Sequence, residues 1–357
     1  PRLPVLDLRR RINSSPHVVV CGAGASRAAT PNGDASGRQL PLMNDLVEVL
    51  GLGSLLKHTD LTDADDFELL YNTAVCDPRL TAVVSELDTR VRQYFCSLVL
   101  PPGPTAYDYL LLSLREKDVI ATFNWDPLLL QAYERHSALR RLPKILFLHG
   151  SVAIGVCLSC QIKGRAGTRC GRCHHLLAPS RLLFPIADKN YTADPFIAAE
   201  WTALCEILRH AYFLTIFGYR APQSDAAAIG SFKPLDENAT HTLAEVELID
   251  VRKRDEVFDS WAPFITRQHW SYRDDIRDTY LAWHPRRSCE ALAFATLQND
   301  PWPDDWMPRN GSLTEVVDWV RPLVEEEDQL EVHSRALSGL DEGRGRHGLE
   351  THLPKSI

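Results

Sequence analysis

The chain has 357 residues, 45% of them hydrophobic and 24% charged, which is enough for two domains or one large domain with insertions. Its formal net charge of −8 gives no overall positive field, so we expect neither direct nucleic-acid binding nor attraction to an acidic membrane. Because no apolar run is long enough for a membrane span and no signal-peptide core is visible, we expect a cytoplasmic globular protein.

The first predicted element is a buried strand, Val18 to Val20, that runs into a glycine-rich turn. Glycines allow positive φ angles and a close approach of the backbone to a ligand, and hydroxyl and amide groups there can donate to a pyrophosphate. The pattern predicts a nucleotide-binding turn, although an ordinary tight turn between a strand and a helix has the same residue types. The turn consists of Gly22, Ala23, Gly24, Ala25 and Ser26.

An alternation of apolar runs and helical patterns follows the turn. Residues 42–100 have apolar side chains at three- and four-residue spacing, which predicts a helical insertion. After the Pro-Pro-Gly-Pro break at 101–104, four short apolar runs predict strands at 118–123, 144–148, 212–219 and 245–251. This order predicts an α/β fold, a Rossmann-like parallel sheet with helices on both faces.

Polar residues stand where these predicted strands end, which is where open α/β sheets bind ligands. His149 follows the third strand, Gly218 ends the fourth, and the loop after it contains Ser224 and Asp225. His149 is either a catalytic or a structural histidine, and Asn124 is either catalytic or a turn-forming residue. Asp126 either caps the next helix or orients a ligand. The second strand ends in Thr122, Phe123, Asn124, Trp125 and Asp126.

Four cysteines give the most specific local pattern in the chain. Two Cys-x-x-Cys pairs are separated by nine residues, and four thiolates suit the tetrahedral coordination of zinc with no open position for a water. We therefore predict a structural zinc that folds a small module rather than a catalytic one. The ligands are Cys157, Cys160, Cys170 and Cys173.

The remaining chain completes the predicted division into domains. Residues 256–325 are rich in tryptophan and predict a mostly helical extension, and the acidic and glycine-rich residues 326–357 predict a mobile tail. The sheet domain is discontinuous, with residues 1–41, 101–150 and 179–255. Residues 42–100 form the helical insertion and residues 151–178 the zinc module.

Three separated segments resemble motifs of one family, the sirtuins, which are Sir2-like NAD-dependent proteins. The turn at 22–26 resembles the family's glycine-rich turn, Thr-Phe-Asn-Trp-Asp at 122–126 resembles its Thr-Gln-Asn-x-Asp, and His149-Gly150 directly precedes a four-cysteine module. The resemblance extends over roughly residues 16–255. It implies that NAD binds between the sheet domain and the smaller zinc and helical parts.

By this resemblance, the residues at 22–26 hold the diphosphate of NAD, and Thr122 and Phe123 belong to the same binding site. Asn124 and Asp126 lie near the nicotinamide and its ribose, and His149 acts as the general base. Gly218, Ser224 and Asp225 are candidates for the adenosine side. Breaking the nicotinamide–ribose bond develops positive charge on the anomeric carbon, so groups that orient the ribose and a nucleophile matter most.

The chain departs from sirtuin deacylases in two loops. The place of their Gly-Ile-Pro-Asp-Phe-Arg segment is taken by residues 40–45, and the place of their peptide-binding Phe-Gly-Glu loop by residues 183–189. Phe123 also replaces the usual glutamine. These departures resemble divergent Sir2-like effectors of bacterial anti-phage systems, which implies an NAD hydrolase. That resemblance further implies homo-oligomerisation and control by a protein activator such as an ATPase or an Argonaute-like sensor.

Other functions fit the sequence less well. An NAD-dependent deacylase or ADP-ribosyltransferase is the closest alternative, and a non-enzymatic sensor of NAD or ADP-ribose is a second one. A dehydrogenase is disfavoured because Arg27 occupies the third glycine position of Gly-x-Gly-x-x-Gly. The sequence contains no metal-binding carboxylate cluster that would support a nuclease.

Overall fold

The computed structural model describes residues 14–56, 59, 67–139, 141–184, 191–220, 243–266, 268–296 and 304–341. Its strands belong to one six-stranded and one three-stranded sheet. The larger sheet contains β1 (His17–Cys21), β2 (Val119–Thr122), β3 (Lys144–Phe147), β7 (Phe213–Phe217), β8 (Glu245–Ile249) and β9 (Trp270–Arg273). The smaller contains β4 (Ile154–Cys157), β5 (Ile162–Arg165) and β6 (Ala178–Pro179).

The helices of the first half of the chain precede or connect the first three strands. They are α1 (Ala23–Ala29), α2 (Leu46–Val49), α3 (Gly53–Leu56), α4 (Phe67–Cys76), α5 (Thr81–Cys96), α6 (Ala106–Ser113) and α7 (Leu128–Arg135). The second half contains α8 (Pro195–Leu208), α9 (Arg254–Ile265), α10 (Tyr280–Trp283), α11 (Ser288–Thr296) and α12 (Leu313–Asp341). Among the described residues, every helix is too short or too polar to span a bilayer.

The six-stranded sheet is parallel throughout and has the order β3-β2-β1-β7-β8-β9. The chain first winds outward from β1 to β3 and then returns to place β7 on the other side of β1. Because crossovers between parallel strands are right-handed, this reversal puts helices on both faces and confirms the predicted fold class. The reversal also leaves a crevice beyond the carboxyl ends of β1 and β7, where such sheets bind ligands.

The central strand β1 is entirely buried, as its sequence predicts. Val18, Val19 and Val20 have no exposed surface, and Val19 pairs with Ile120 on one side and Thr215 on the other. A run of β-branched residues without polar alternation is typical of a strand covered on both faces. The helices of the segment at 42–100 pack against the same apolar core.

The sixth strand was not expected, because the extension at 256–325 was predicted to be mostly helical. Trp270–Arg273 pairs in parallel with β8 and completes the large sheet. All four residues are half-buried, as is usual for an edge strand, so the segment has no continuous apolar run that would mark it.

The sequence predicts a mobile tail from residue 326 onward, whereas residues 326–341 are helical in the structure. Helix α12 continues to Asp341, and residues 342–357 lie outside the described part of the chain. Three of the acidic residues form ion pairs with arginines from distant parts of the sequence. The ion pairs are Arg287 with Glu326, Arg286 with Glu327 and Arg141 with Asp328.

Candidate active site

A cavity of about 780 Å³ lies at the carboxyl ends of β1, β2, β3, β7 and β8. Its volume is within the range of small-molecule sites, and it opens at the crevice that the strand order creates. It brings together most of the residues selected from the sequence. Those that line it are Gly22, Ala23, Gly24, Phe123, Asn124, Asp126, His149 and Gly218.

The glycine-rich turn is packed against the end of β7. Gly22 N donates to Phe217 O and Gly24 N donates to Gly218 O, both at 2.9 Å. Gly218 has a φ angle of 60°, and a Cβ atom on it would lie 2.4 Å from Ala25 N. Glycine is therefore required where the turn and the strand end approach each other, and two amides of the turn are already bonded within the protein.

Asn124 is fixed by hydrogen bonds on the inner side of the cavity. Its Nδ2 atom lies 2.8 Å from Gly22 O, 2.9 Å from Ser26 Oγ and 3.1 Å from Tyr107 OH. Its backbone N–H donates to Thr122 Oγ1 at 3.0 Å. The side chain that the sequence selected as catalytic is thus held by the predicted nucleotide turn and by the end of β2.

The carboxylate of Asp126 is held by hydrogen bonds to the start of the next helix and to the glycine-rich turn. Oδ1 accepts from Leu128 N at 3.0 Å at the start of α7, and Oδ2 accepts from Ser26 Oγ at 2.6 Å. Asp126 is buried, and this burial raises the pKa of its carboxyl group, although the bonds from Ser26 and Leu128 oppose the shift. Asp126 therefore binds the first amide of α7, after the N-cap residue Pro127, and holds the hydroxyl group of Ser26.

His149 lines the cavity from the end of β3 and is almost entirely buried. Its ring meets Phe123 edge to face at 4.7 Å between centroids. The glycine after it has a structural reason, because Gly150 has a φ angle of 74° and a Cβ atom there would lie 1.8 Å from Arg181 O. The His-Gly pair thus combines a ring at the cavity with a turn that only glycine fits.

Comparison with known proteins finds similarity only to solved structures. The sequence matches no protein-family model and no curated protein. The solved structures are of Sir2 proteins.

Three of these structures illustrate the level of likeness. A structure from work on the mechanism and regulation of Sir2 enzymes is 14% identical, covers 90% of this chain and 99% of its own, and has a TM-score of 0.35. A Sir2 homolog–NAD complex is 15% identical, covers 89% and 94%, and has a TM-score of 0.32. Sir2 with the inhibitor EX-527, 2'-O-acetyl-ADP-ribose and deacetylated p53 peptide is 16% identical, covers 82% and 98%, and has a TM-score of 0.37. At these scores, the resemblance of this chain to sirtuins rests on its own motifs.

Aromatic rings form the cavity wall between the carboxyl ends of β2 and β7. Phe123 stacks on Tyr219 with 4.1 Å between ring centroids and an angle of 4° between ring planes. Tyr219 in turn contacts Trp261 of α9. A phenylalanine at position 123 therefore gives this wall an apolar surface in place of the amide that sirtuins have there.

The structure adds cavity residues that the sequence analysis did not select. Arg27 and Arg220 line the cavity and provide positive charge, and Asp250 lies at the end of β8. Arg27 is paired with Asp45 at 3.2 Å. Asp250 lies within the strand predicted at 245–251, near its carboxyl end, and this position was the available signal for it, whereas the two arginines had none. Ser224 and Asp225, predicted for the adenosine side, lie outside the described residues.

The four cysteines converge as predicted. Their Sγ atoms all lie within 4.8 Å of one another, and those of Cys157 and Cys173 are 3.4 Å apart. Tetrahedral zinc with bonds of about 2.3 Å requires sulfur separations of roughly 3.8 Å, so the cluster fits this ion.

Both Cys-x-x-Cys turns have the same backbone geometry. The residue after each pair is left-handed, with φ angles of 55° at Gln161 and 61° at His174. Its N–H donates to the carbonyl of the first cysteine of the pair in both turns. The chain thus presents the thiol groups in two equivalent turns, which suits a closed structural metal site.

Proposed function

We propose that this protein hydrolyses NAD to nicotinamide and ADP-ribose. The observation that carries the proposal is the placement of Asn124 and His149 on one cavity, beside the glycine-rich turn at the reversal point of a parallel sheet. Arg27 and Arg220 on the same cavity offer the charge that a diphosphate requires.

In this reaction the bond between nicotinamide and ribose breaks, and nicotinamide leaves as a neutral molecule because it carried the positive charge. Water forms the new bond to the anomeric carbon and loses a proton, which His149 accepts as general base. Asn124 orients the water or a ribose hydroxyl through its side-chain oxygen. The stacked rings of Phe123 and Tyr219 form an apolar wall of the same cavity.

The absence of the family's peptide-binding sequence motif favours water over acyl-lysine as the nucleophile. The segment at 40–45, which replaces a deacylase motif, contributes residues 40–44 to the cavity lining. Because free NAD hydrolysis would harm the cell that makes the protein, the proposal includes control by oligomerisation or by a protein activator, such as an ATPase or an Argonaute-like sensor. The resemblance of the sequence motifs to those of anti-phage effectors supports a role of this control in bacterial defence.

The test incubates the full chain with NAD, with and without an acetylated peptide, and quantifies nicotinamide, ADP-ribose and acetyl-ADP-ribose. We expect nicotinamide and ADP-ribose in equal amounts without peptide. Release that depends on the peptide and yields acetyl-ADP-ribose would instead identify a deacylase. Calorimetric titration with NAD covers the inactive case: binding without turnover is expected of a sensor or of a hydrolase whose activator is missing, and absence of binding overturns the assignment of the cavity.

A further inference from the structure

Tyr107 is a buried polar residue beside the glycine-rich turn that belongs to none of the sequence motifs. It lies in α6, has no exposed surface, and reaches the glycine-rich turn with its hydroxyl group. That hydroxyl hydrogen-bonds Ser26 Oγ and lies 3.1 Å from Asn124 Nδ2. Its position in the middle of a polar cluster makes the direction of each hydrogen bond informative.

The orientation of the Asn124 amide follows from its partners. A backbone carbonyl can only accept, so the atom 2.8 Å from Gly22 O must be the nitrogen. One amide hydrogen is used there, and the other is shared between Ser26 Oγ and Tyr107 OH. Among the described residues, none donates to the Oδ1 atom of Asn124. The oxygen is therefore the part of this side chain that is available to a molecule in the cavity.

The hydroxyl protons also have one consistent arrangement. Ser26 Oγ donates to the carboxylate of Asp126, so its single proton is used and its oxygen can only accept from other groups. Tyr107 must then donate to Ser26. Burial and the nearby charge of Asp126 raise the pKa of Tyr107 well above its ordinary value, so the phenol keeps its proton.

The helix that carries Tyr107 is held in place at its first turn. Asp108 accepts from Thr105 N and Thr105 Oγ1, which closes a capping box. The same carboxylate binds Arg135 and His136 of the following helical segment. Tyr107 therefore has little conformational freedom. A residue that holds other side chains in position requires this rigidity.

We propose that Tyr107 is a positioning residue for the reaction. Its hydroxyl donates to Ser26 and thereby holds Ser26 and Asn124 so that Asn124 presents only its carbonyl oxygen to the substrate. The role rests on the proposed function, because it concerns how Asn124 acts on NAD. Tyr107 itself contacts neither the cavity nor the reacting atoms, so it acts through its two partners.

The first test is Tyr107→Phe, which keeps the ring and removes the hydroxyl. Since one hydrogen bond is lost, we expect kcat for nicotinamide release to fall about tenfold while KM for NAD stays within about twofold. The matched control is Tyr71→Phe, which removes a buried hydroxyl that donates to Asp88 away from the cavity and should leave both constants unchanged. Equal kcat values for Tyr107→Phe and the wild type would overturn the proposal.

A double-mutant cycle separates positioning from a general structural effect. If Tyr107 acts through Ser26, Tyr107→Phe should lower kcat no further in a Ser26→Ala background. An additive loss in the double variant would contradict the proposal.

A measurement on the ligand-free protein keeps the test independent of activity. In a sample with 15N-labelled asparagine, the side-chain amide signal of Asn124 is identified by its loss in Asn124→Ala. We expect its hydrogens to exchange with solvent faster in Tyr107→Phe and in Ser26→Ala than in the wild type. Unchanged exchange in both variants would refute the positioning role, whereas a wild type that fails to release nicotinamide from NAD would refute only the proposed function.

Discussion

Two buried clusters of polar side chains lie at opposite ends of the same parallel strands. At the carboxyl end, Ser26, Asn124 and Asp126 surround the turn after β1. At the amino end, His17 at the start of β1 bonds Ser288 Oγ at 2.7 Å and Thr215 Oγ1 at 2.8 Å.

Burial and hydrogen bonding do not distinguish the two clusters, but access does. Asn124 and Asp126 line the cavity of about 780 Å³, whereas His17, Thr215 and Ser288 are absent from its lining. His17 also has a strongly perturbed pKa, since burial lowers its pKa to about 3. A perturbed pKa therefore marks a candidate site only where a cavity reaches the group.

The largest expected contrast comes from removing one polar side chain at each end. Asn124→Ala should lower the rate of nicotinamide release by about a hundredfold or more, because the group that orients the nucleophile is lost. Ser288→Ala removes a hydroxyl of the closed cluster and should leave the rate per folded molecule unchanged. Ser288→Ala should instead lower the free energy of unfolding, measured by urea titration, by about 1–2 kcal/mol.

This contrast has a clear failing outcome. If Ser288→Ala slows nicotinamide release as strongly as Asn124→Ala does, with the folded fraction measured by circular dichroism, cavity access is not what separates the clusters. His149→Ala provides a second variant at the carboxyl end, for which a comparable loss of rate is expected.

The second contrast concerns pH. His17 is neutral in the folded protein because burial outweighs the charge of the nearby Asp118. Its pKa of about 3 lies below the ordinary 6.5, so folding disfavours the protonated form. The contribution of His17 to the free energy of unfolding is complete above pH 6.5. It should decrease by about 1.4 kcal/mol for each pH unit from 6.5 toward 3.

Urea titrations of the wild type and of His17→Asn between pH 7 and pH 4.5 measure this contribution. The variant should be less stable at pH 7, because two buried hydrogen bonds are disturbed, yet its stability should fall less steeply with acid. Parallel pH profiles for the two proteins would show that His17 is not the group responsible.

The strands that the sequence predicted share one property, which is an apolar run that ends in glycine or a polar residue. β1, β2, β3, β7 and β8 all begin and end within two residues of the predicted positions. The edge strand at Trp270–Arg273 lacks such a run, because its half-buried side chains are set by neighbours that only the fold supplies. The opposite edge strand, β3, is mostly buried and was predicted, so local pattern identifies buried strands better than half-buried ones.

The same limit applies to charged residues and to the site. The acidic run at 325–328 is typical of a solvated tail, but Glu327 is buried against Arg286, 41 residues earlier in the chain. Tyr107 likewise follows no motif, and only the packing of α6 against the turn brings its hydroxyl to Ser26. Asn124 and His149 could be selected because they directly follow strands, whereas residues that support them from other elements have no such signal.

The smallest expected effect comes from a buried carboxylate in the middle of β8, at the position that pairs with Thr215. Glu247 in β8 has no exposed surface, accepts from Tyr280 N at 3.2 Å, and leaves its Oε2 atom without a partner among the described residues. Burial raises its pKa to about 7, with Arg273 opposing and Glu245 reinforcing the shift. The folded protein favours the protonated form of Glu247. The stabilising contribution of this group is therefore complete below about pH 4.5 and is lost as pH rises through about 7.

Glu247→Gln replaces the carboxylate with a neutral group of similar shape. We expect it to change the free energy of unfolding little at pH 5 and to raise it by about 1–2 kcal/mol at pH 8, where the wild type has a buried charge. The rate of nicotinamide release should not change at either pH, since Glu247 does not line the cavity. A variant that is destabilised equally at both pH values would show that Glu247 is stabilising as a charged group, with Arg273 as its partner at 3.9 Å.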